Sequence, residues 1–430
     1  MLNKTAVGGV KWTTLSSLVL MLCSLISVGV LARYVPKADF GLIAIVVFSL
    51  SFFELFNDMG ISVGILHKQD MVQEEYSSLY WFNILMSALL YGIVLLLSPL
   101  ISRFYGFPEL KHLIPLVGIN LLINGIGRQF KNIQEKELRF KQISLVEIST
   151  ALVAVCCSVT LAIRGYGVYA LVANTLITAF LSNILFLIIS FSHGHRITLY
   201  CKFDKVKPFL RMGLYQMGGQ IANYFNRDFD ILIIGKTMGP EVLGLYSLAK
   251  QLVFRPYQIL NPIIIKVATP MLAKLQHSSE ELKISYLKVV NIIGSMNTIV
   301  YILVFIFAPF AIRILYGESF LDATWIVRIL CIYMIARSTA NPVGSLTIAT
   351  GKTYLEFYWN VAMLFLMPIT IYLGSLGGIY TLTMALSVLM ILLIYPFWRY
   401  LISRMIDVKF SEYLKACFVI DIKGIKGLIK

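Results

Sequence analysis

Residues Leu79 to Gly106 read LYWFNILMSALLYGIVLLLSPLISRFYG, and the first charged side chain in that run is Arg103. A helix rises about 1.5 Å per residue, so the uncharged part is long enough to cross the ~30 Å hydrocarbon core of a bilayer. Part of it recurs a little over two hundred residues later. Ser98-Pro99-Leu100, then Arg103 and Tyr105-Gly106, is matched by Ala308-Pro309-Phe310, then Arg313 and Tyr316-Gly317. Further matches are collinear with this one. Leu31-Ala32-Arg33-Tyr34 followed by Phe40-Gly41-Leu42 pairs with Ile234-Gly235-Lys236-Thr237 followed by Leu243-Gly244-Leu245. Gly127-Arg128 pairs with Ala336-Arg337, and Gly167-Val168-Tyr169-Ala170-Leu171 with Gly378-Ile379-Tyr380-Thr381-Leu382. The chain reads as an internal duplication.

Apolar runs of spanning length lie near 12–34, 40–66, 79–102, 112–131, 143–163, 167–191, 209–235, 242–270, 285–311, 323–348, 355–374 and 378–401. Composition agrees: 58% of the 430 residues are hydrophobic and 14% charged, with a mean hydropathy of +0.80. Short alternating runs, the mark of a membrane barrel, are missing from the sequence, so the spans are helices, which satisfy their own backbone in lipid. The expected fold is an all-α polytopic membrane protein of about twelve helices. Six spans per repeat is an even number, so both repeats enter the membrane from the same side and are parallel, related by an axis along the membrane normal. The expected organisation is one lobe over 1–191, a basic linker over 192–208, a second lobe over 209–401 and a basic tail over 402–430.

Basic residues orient the chain. Lys131, Lys136, Arg139, Lys141, Arg196, Lys202, Lys205, Lys207, Arg211 and the Lys-rich tail fall on the side of the termini, and fewer, such as Arg33, Lys37, Arg103, Lys111 and Arg164, fall on the other. The positive-inside rule then places both termini in the cytoplasm. The net charge of +15 follows from this bias and from anionic headgroups, and requires no nucleic acid. No signal-peptide cleavage site follows the first span. The cysteines (Cys23, Cys156, Cys157, Cys201, Cys331, Cys417) have neither disulfide nor metal spacing, and no cofactor is expected.

Polar residues inside spans are costly, and here they form stripes. In span 7, Gln216, Gln220, Asn223, Arg227 and Asp230 step by three and four, which aligns them on one helical face. Span 8 carries Ser247, Gln251, Arg255, Gln258 and Asn261, with Lys250 beside them and Pro256 and Pro262 inviting a kink or local unwinding. Span 2 offers Ser51, Glu54, Asp58 and Ser62 next to Asn57. Span 4 offers Asn120, Asn124 and Arg128, and its repeat partner, span 10, offers Arg337, Asn341 and Ser345 with Pro342 breaking the helix. One reading is interhelical glue, worth about 0.6 kcal/mol per hydrogen bond. The other is a hydrated cavity. In that case Arg227, Arg255, Arg337 and Lys250 bind phosphate, with Gln220, Asn223, Gln251, Asn341 and rings such as Tyr224, Tyr246 and Tyr257 on sugar. Glu54, Asp58 and Asp230, together with Asp228, are candidate counter-ions, and Asp58 or Glu54 a candidate ion-coupling group. A polyprenyl-diphosphate-linked oligosaccharide has both the phosphate and the sugar parts, and its tail can stay in the bilayer.

Asn57-Asp58-Met59-Gly60-Ile61 leading to Leu66-His67-Lys68, then Tyr76-Ser77-Ser78-Leu79-Tyr80-Trp81-Phe82-Asn83, resembles the polysaccharide transporter family, the Wzx-type O-antigen and exopolysaccharide flippases. So does Asp230-Ile231-Leu232-Ile233-Ile234-Gly235 with Leu243-Gly244-Leu245-Tyr246-Ser247-Leu248-Ala249. This family sits within the multidrug/oligosaccharidyl-lipid/polysaccharide exporter superfamily. The resemblance implies a MATE-like fold with two six-helix lobes around a central cavity. It also implies flipping of undecaprenyl-diphosphate-linked repeat units to the outer leaflet of the bacterial inner membrane, with other polysaccharide assembly proteins as possible partners besides membrane lipids. Members often carry two further spans, whereas the tail's apolar run from Cys417 to Ile420 is too short to cross.

Two other functions stand beside this one. An ion-coupled drug or cation antiporter of the same superfamily would favour a dominantly acidic cavity, and the charges within spans are close to balance. A membrane-embedded polymerase would need a long external loop bearing acids or histidines, and the external loops are short, so no enzyme activity is expected. Gly351-Lys352-Thr353 is no phosphate loop, since Leu346 stands where its first glycine belongs. Gly60 and Gly64 suggest a close helix crossing. The topology is testable. Cysteines introduced as Lys37→Cys or Glu109→Cys should react with an impermeant maleimide in intact cells, and Gly194→Cys only after permeabilisation. Labelling at 194 from outside would overturn the orientation.

Overall fold

The computed structural model describes residues 2–421 except 59–60, 63–64, 66–67, 69 and 196; for 2–10, 208 and 211–219 it gives the backbone alone. Met59, Gly60, Gly64, Leu66, His67, Arg196 and residues 422–430, with the side chains of Arg211 and Gln216, lie outside the described residues. Among the described residues all regular structure is helical. The spans follow as α1 (Leu2–Tyr34), α2 (Lys37–Asp58), α3 (Gln73–Tyr105), α4 (Leu110–Lys136), α5 (Phe140–Ile163), α6 (Val168–Ser192), α7 (Phe203–Thr237), α8 (Gly239–Lys274) and α9 (Ser279–Leu315). Beyond them are α10 (Ala323–Thr339), α11 (Val343–Thr350), α12 (Thr353–Ser375), α13 (Ile379–Leu392), α14 (Ile394–Tyr400) and α15 (Phe410–Phe418).

Among the described residues ten segments are long and apolar enough to cross a membrane, with α10–α11 and α13 through Arg404 each counted as one. The remaining pair, α7 and α8, have 35 and 36 residues, so they are long enough, and they carry the charged stripes. The tenth span breaks at Ala340-Asn341-Pro342, as its proline suggests. In the eighth, where the sequence invites a kink or local unwinding, α8 is a single helix through Pro256, Pro262 and Pro270, so it does not unwind. The surface is inverted relative to a soluble protein. Leu85, Leu96, Phe310, Phe365 and Leu392 are exposed, while Ser87, Gln134, Asn297, Ser338 and Thr347 are buried. Hydrocarbon accommodates the first group, and the second must find partners inside the protein. The chain is a multi-pass membrane protein.

Two compact units divide the chain, residues 1–224 with 239–244 and residues 225–238 with 245–430. In the first, α3 packs on α4, α1 on α5, and α4 and α5 on α6. Small residues permit the approach: a methyl group on Gly125 would stand 2.2 Å from Ser87 Oγ, and one on Gly127 2.2 Å from Asn183. Amides and hydroxyls then bridge the helices. Ser87 donates to Asn57 Oδ1 (2.6 Å), Asn57 to the Leu121 carbonyl (3.2 Å), Asn183 to Asn124 Oδ1 (3.1 Å) and Gln134 to Ser190 Oγ (3.0 Å). For these residues the glue reading of the polar stripes is the correct one. The basic segment 192–208 belongs to this unit, where Trp81 Nε1 donates to the Thr198 carbonyl (2.9 Å) and the Lys202 amide to Ser78 Oγ (3.2 Å).

The matched sequence motifs have counterparts in the backbone. Gly106 and Gly317 follow α3 and α9 with φ of +83° and +90°, and Gly167 and Gly378 precede α6 and α13 with φ of +50° and +92°, values that a side chain would strain. Equivalent residues of the two repeats also meet. A Cβ on Gly41 would lie 1.9 Å from the Pro240 carbonyl oxygen, and one on Gly244 1.9 Å from the Lys37 carbonyl oxygen. Lys37 and Pro240 are themselves equivalent in the sequence match, so the contact is reciprocal.

In the second unit α9 packs on α10, and α10 and α12 pack on α13. The tail, expected only to be basic, folds back: α15 lies on α9, with the Cys417 carbonyl oxygen 2.4 Å from where a Cβ on Gly294 would be. Asn291 donates to the carbonyls of Val419 (2.7 Å) and Ala416 (3.2 Å), and the Asp421 amide to Ser295 Oγ (3.0 Å). Tyr413 and Cys417 are buried among Tyr286, Leu401 and Ile402, and burial pushes the Cys417 thiol up to about 12. The Lys409 amide and the Lys283 ammonium hold the Glu412 carboxyl below the usual range. Cys417, kept as the sole cysteine, should therefore resist maleimide, and Gly294→Val should unseat α15 and make it react. Equal protection in both proteins would mean that α15 does not depend on the bare backbone at Gly294.

Candidate functional site

The second unit contains a polar cluster at the end of α7. Its hub is Lys250 on α8, whose ammonium donates to both oxygens of Asp230 (2.8 Å each), to Asp228 Oδ1 (3.2 Å) and to the Arg227 carbonyl (2.7 Å). Asp230 also accepts the Tyr246 hydroxyl and, at 2.9 Å, the Ile231 amide. Both partners are nearly inaccessible, so each is what makes the other tolerable in a low-dielectric interior. Helical spacing assembles the hub: Tyr246, Lys250 and Phe254 follow one another at i+4 on α8, and the Lys250 ammonium sits 5.5 Å from the Phe254 ring centre.

Around this pair the charges become progressively more accessible. The side chains of Asp230 and Lys250 are 6% and 10% exposed, that of Asp228 16% and that of Arg227 51%. Arg227 directs Nε and Nη2 at Asp228 Oδ2, 2.7 Å from each. On the far side, Arg337 of α10 donates to the Tyr333 hydroxyl and stacks on the Phe254 and Tyr333 rings, 5.6 Å from each centre. A small pocket opens among Asn226, Arg227, Asp230, Tyr246, Phe254 and Tyr333, with walls of Leu330, Met367, Ile371 and Leu386 from α10, α12 and α13. Its room amounts to roughly one water molecule. Arg227, Lys250 and Arg337 face Asp228 and Asp230, which leaves the cluster with one cation in surplus.

The structure brings Arg227, Lys250, Arg337, Asp228 and Asp230 together. Arg255 lies five residues beyond Lys250, about 140° around the helix axis, and its charge is felt at Tyr316, which ends α9. Asn341 accepts from the Tyr257 hydroxyl at 3.2 Å, beside the α10–α11 break. Gln251 is half-buried; Gln220 and Asn223 are exposed and belong to the first unit. That unit also holds Glu54, whose neighbouring positive charge is Arg128, and Asp58, which accepts from Ser62 Oγ, itself the acceptor of Asn132 Nδ2 at 2.7 Å. Two expectations are corrected. Tyr246 is committed to Asp230, and Tyr224 is buried, stacked on Phe48 at 5.3 Å and donating to the Phe48 carbonyl, so neither ring is open to a sugar. The partner of Arg227 is Asp228, and Asp230 serves Lys250. Sequence reading left out Tyr333 and Phe254; the i+4 step from Tyr333 to Arg337 was the available signal.

The chain has relatives among known proteins. The family described as Polysaccharide biosynthesis protein matches residues 30–324, and the chain belongs to that family. It is 30% identical to the amylovoran biosynthesis protein AmsL of Erwinia amylovora, over 83% of this chain and 92% of that protein. It is 26% identical to the lipopolysaccharide biosynthesis protein WzxC of Escherichia coli K12, over 96% and 84%. The teichuronic acid biosynthesis protein TuaB of Bacillus subtilis is 25% identical, over 96% and 86%. Among solved structures, the inward closed lipid II flippase MurJ aligns with a TM-score of 0.74 at 14% identity, over 94% of this chain and 89% of that one. An inward-facing multidrug resistance MATE transporter of the MOP superfamily aligns at 0.66 and 15%, over 92% and 96%. These two share the fold.

Burial makes the hub's contribution to stability measurable. Lys250→Ala leaves the buried Asp230 carboxylate without its cation, while Asp228 keeps Arg227, and should cost roughly 3–5 kcal/mol, seen as a lower melting temperature in detergent and less protein in the membrane. Lys250→Met with Asp230→Asn should recover most of that loss, because Tyr246 still finds an acceptor. A Lys250→Ala protein that melts like the parent would show that the pair does not hold the site together.

Proposed function

We propose that this member of the polysaccharide biosynthesis family is a flippase. It moves polyprenyl-diphosphate-linked oligosaccharide repeat units from the cytoplasmic to the outer leaflet of the bacterial inner membrane by alternating access, with both termini in the cytoplasm. Family membership and the surface-polysaccharide roles in the relatives' names support the pathway, and the likeness to MurJ supports a fold suited to lipid-linked cargo. The observation that carries the site is the surplus cation: three cationic side chains meet two carboxylates, and the most accessible of the five is the Arg227 guanidinium. A guanidinium fork matches phosphate oxygens in two places, which an ammonium does not. The small pocket is too tight for a sugar ring, so the reading puts a phosphate at Arg227 and leaves the oligosaccharide in wider space. The two repeats, 1–191 and 209–401, are the bodies that alternate, and 192–208 is the connection. A cation antiporter would present open carboxylates, whereas Asp228 and Asp230 are both occupied by internal cations.

Deleting the gene should stop export of the surface polysaccharide and leave lipid-linked repeat units on the cytoplasmic leaflet. Complementation with Arg227→Ala should restore protein level without restoring export, and Arg227→Lys should restore export in part. Normal polysaccharide in the deletion strain, with no second transporter present, would refute the assignment.

A further inference from the structure

We propose that Asp228 is an internal substitute for the cargo's phosphate: it holds the Arg227 guanidinium while the site is empty and passes to Lys250 when a phosphate takes its place. The proposal rests on the flippase reading above and adds a device that weakens binding so that cargo can be released. Asp228 is divided between two cations, one oxygen on each. Oδ2 receives Nε and Nη2 of Arg227 at 2.7 Å, and Oδ1 receives the Lys250 ammonium at 3.2 Å. Asp230 has no such freedom, because its oxygens take the same ammonium at 2.8 Å each, the Tyr246 hydroxyl and the Ile231 amide.

Helix geometry adds to the contrast. Arg227 and Asp228 are adjacent on α7, and adjacent residues do not face each other on a helix, so the Arg227 side chain has to fold back to reach its neighbour. The Arg227 end of the pair is accessible while the Lys250 end is buried. An arriving phosphate therefore meets the guanidinium first. It offers more negative charge and a bidentate edge, whereas the carboxylate offers the guanidinium a single oxygen. The displaced Asp228 already has a second donor. With Arg227 given to the phosphate, Lys250 and Arg337 balance Asp228 and Asp230, so the buried part of the cluster is neutral in the loaded state. The surplus positive charge of the empty state is thus met by the phosphate.

The test is the affinity of the purified protein for inorganic pyrophosphate, measured by calorimetry in detergent and paired with export by the same variants in cells. Asp228→Asn keeps the shape and removes the competing charge, so it should bind pyrophosphate several-fold more tightly than the parent, while export at saturating cargo slows because release is impaired. Asp228→Glu restores a competitor and should return affinity toward the parent value. Should Asp228→Asn yield no folded protein, Asp228→Ser removes the same charge and carries the same expectation. Equal or weaker binding by the neutral variants, with Arg227→Ala abolishing binding, would refute the substitute role and leave Arg227 as a phosphate ligand. Binding that is unaffected by Arg227→Ala, or absent from every variant, would refute the phosphate reading itself, and the inference with it.

Discussion

Hydrocarbon offers no hydrogen bonds, so a polar group this chain carries into the bilayer must find its partner within the chain or bear the cost of lacking one. Helices answer this for the backbone. Side chains answer it in graded ways that the structure makes visible. Hydroxyls turn back onto their own helix, as Thr150 does to the Val146 carbonyl and Thr178 to the Asn174 carbonyl. Amides reach across to the next helix, as Asn183 does to Asn124 and Asn297 to Asn261. Charges require the most: Lys250 and Asp230 are buried because they are buried together, with Tyr246 completing the carboxylate's shell.

That constraint also marks the place where function is to be sought. The most accessible of the cluster's charges is the Arg227 guanidinium, which is held by Asp228, while Asp228, Lys250 and Asp230 grow steadily less accessible. A cation held in place by an immobile, buried base is suited to recognising an anion, since its position is fixed before the ligand arrives. Its partner Asp228 is the least committed carboxylate of the cluster, and its position between two cations gives the site a resting state without leaving a bare charge.

The duplication has consequences beyond economy of sequence. Equivalent glycines take a positive φ at Gly106 and Gly317, and the reciprocal approach of Gly41 and Gly244 brings the matched helix starts into backbone contact. The polar residues show how the repeats have diverged. On α4 Arg128 is the positive neighbour of Glu54, whereas its match on α10, Arg337, joins the charged cluster just before the helix breaks at Pro342.

Much of this was determined by sequence alone. Length and apolarity of the runs decide that the chain crosses the membrane as helices, because hydrocarbon thickness and backbone satisfaction leave few alternatives, and the collinear motifs read as a duplication. The stripe on α7 and the cations of α8 and α10 were legible because helical periodicity turns spacing into a shared face. Spacing states only that residues lie on one side of one helix. It did not reveal that Lys250, set beside its stripe, would be the hub, that Asp228 and Asp230 would serve different cations, or that Tyr246 would be used up by a carboxylate. Nor did a tail rich in lysine announce that Tyr413 and Cys417 would be buried on α9. Those choices depend on which helices meet, at what height and with what rotation, and only the tertiary structure decided them, because pairing energies act between side chains brought close in space and not between neighbours along the chain.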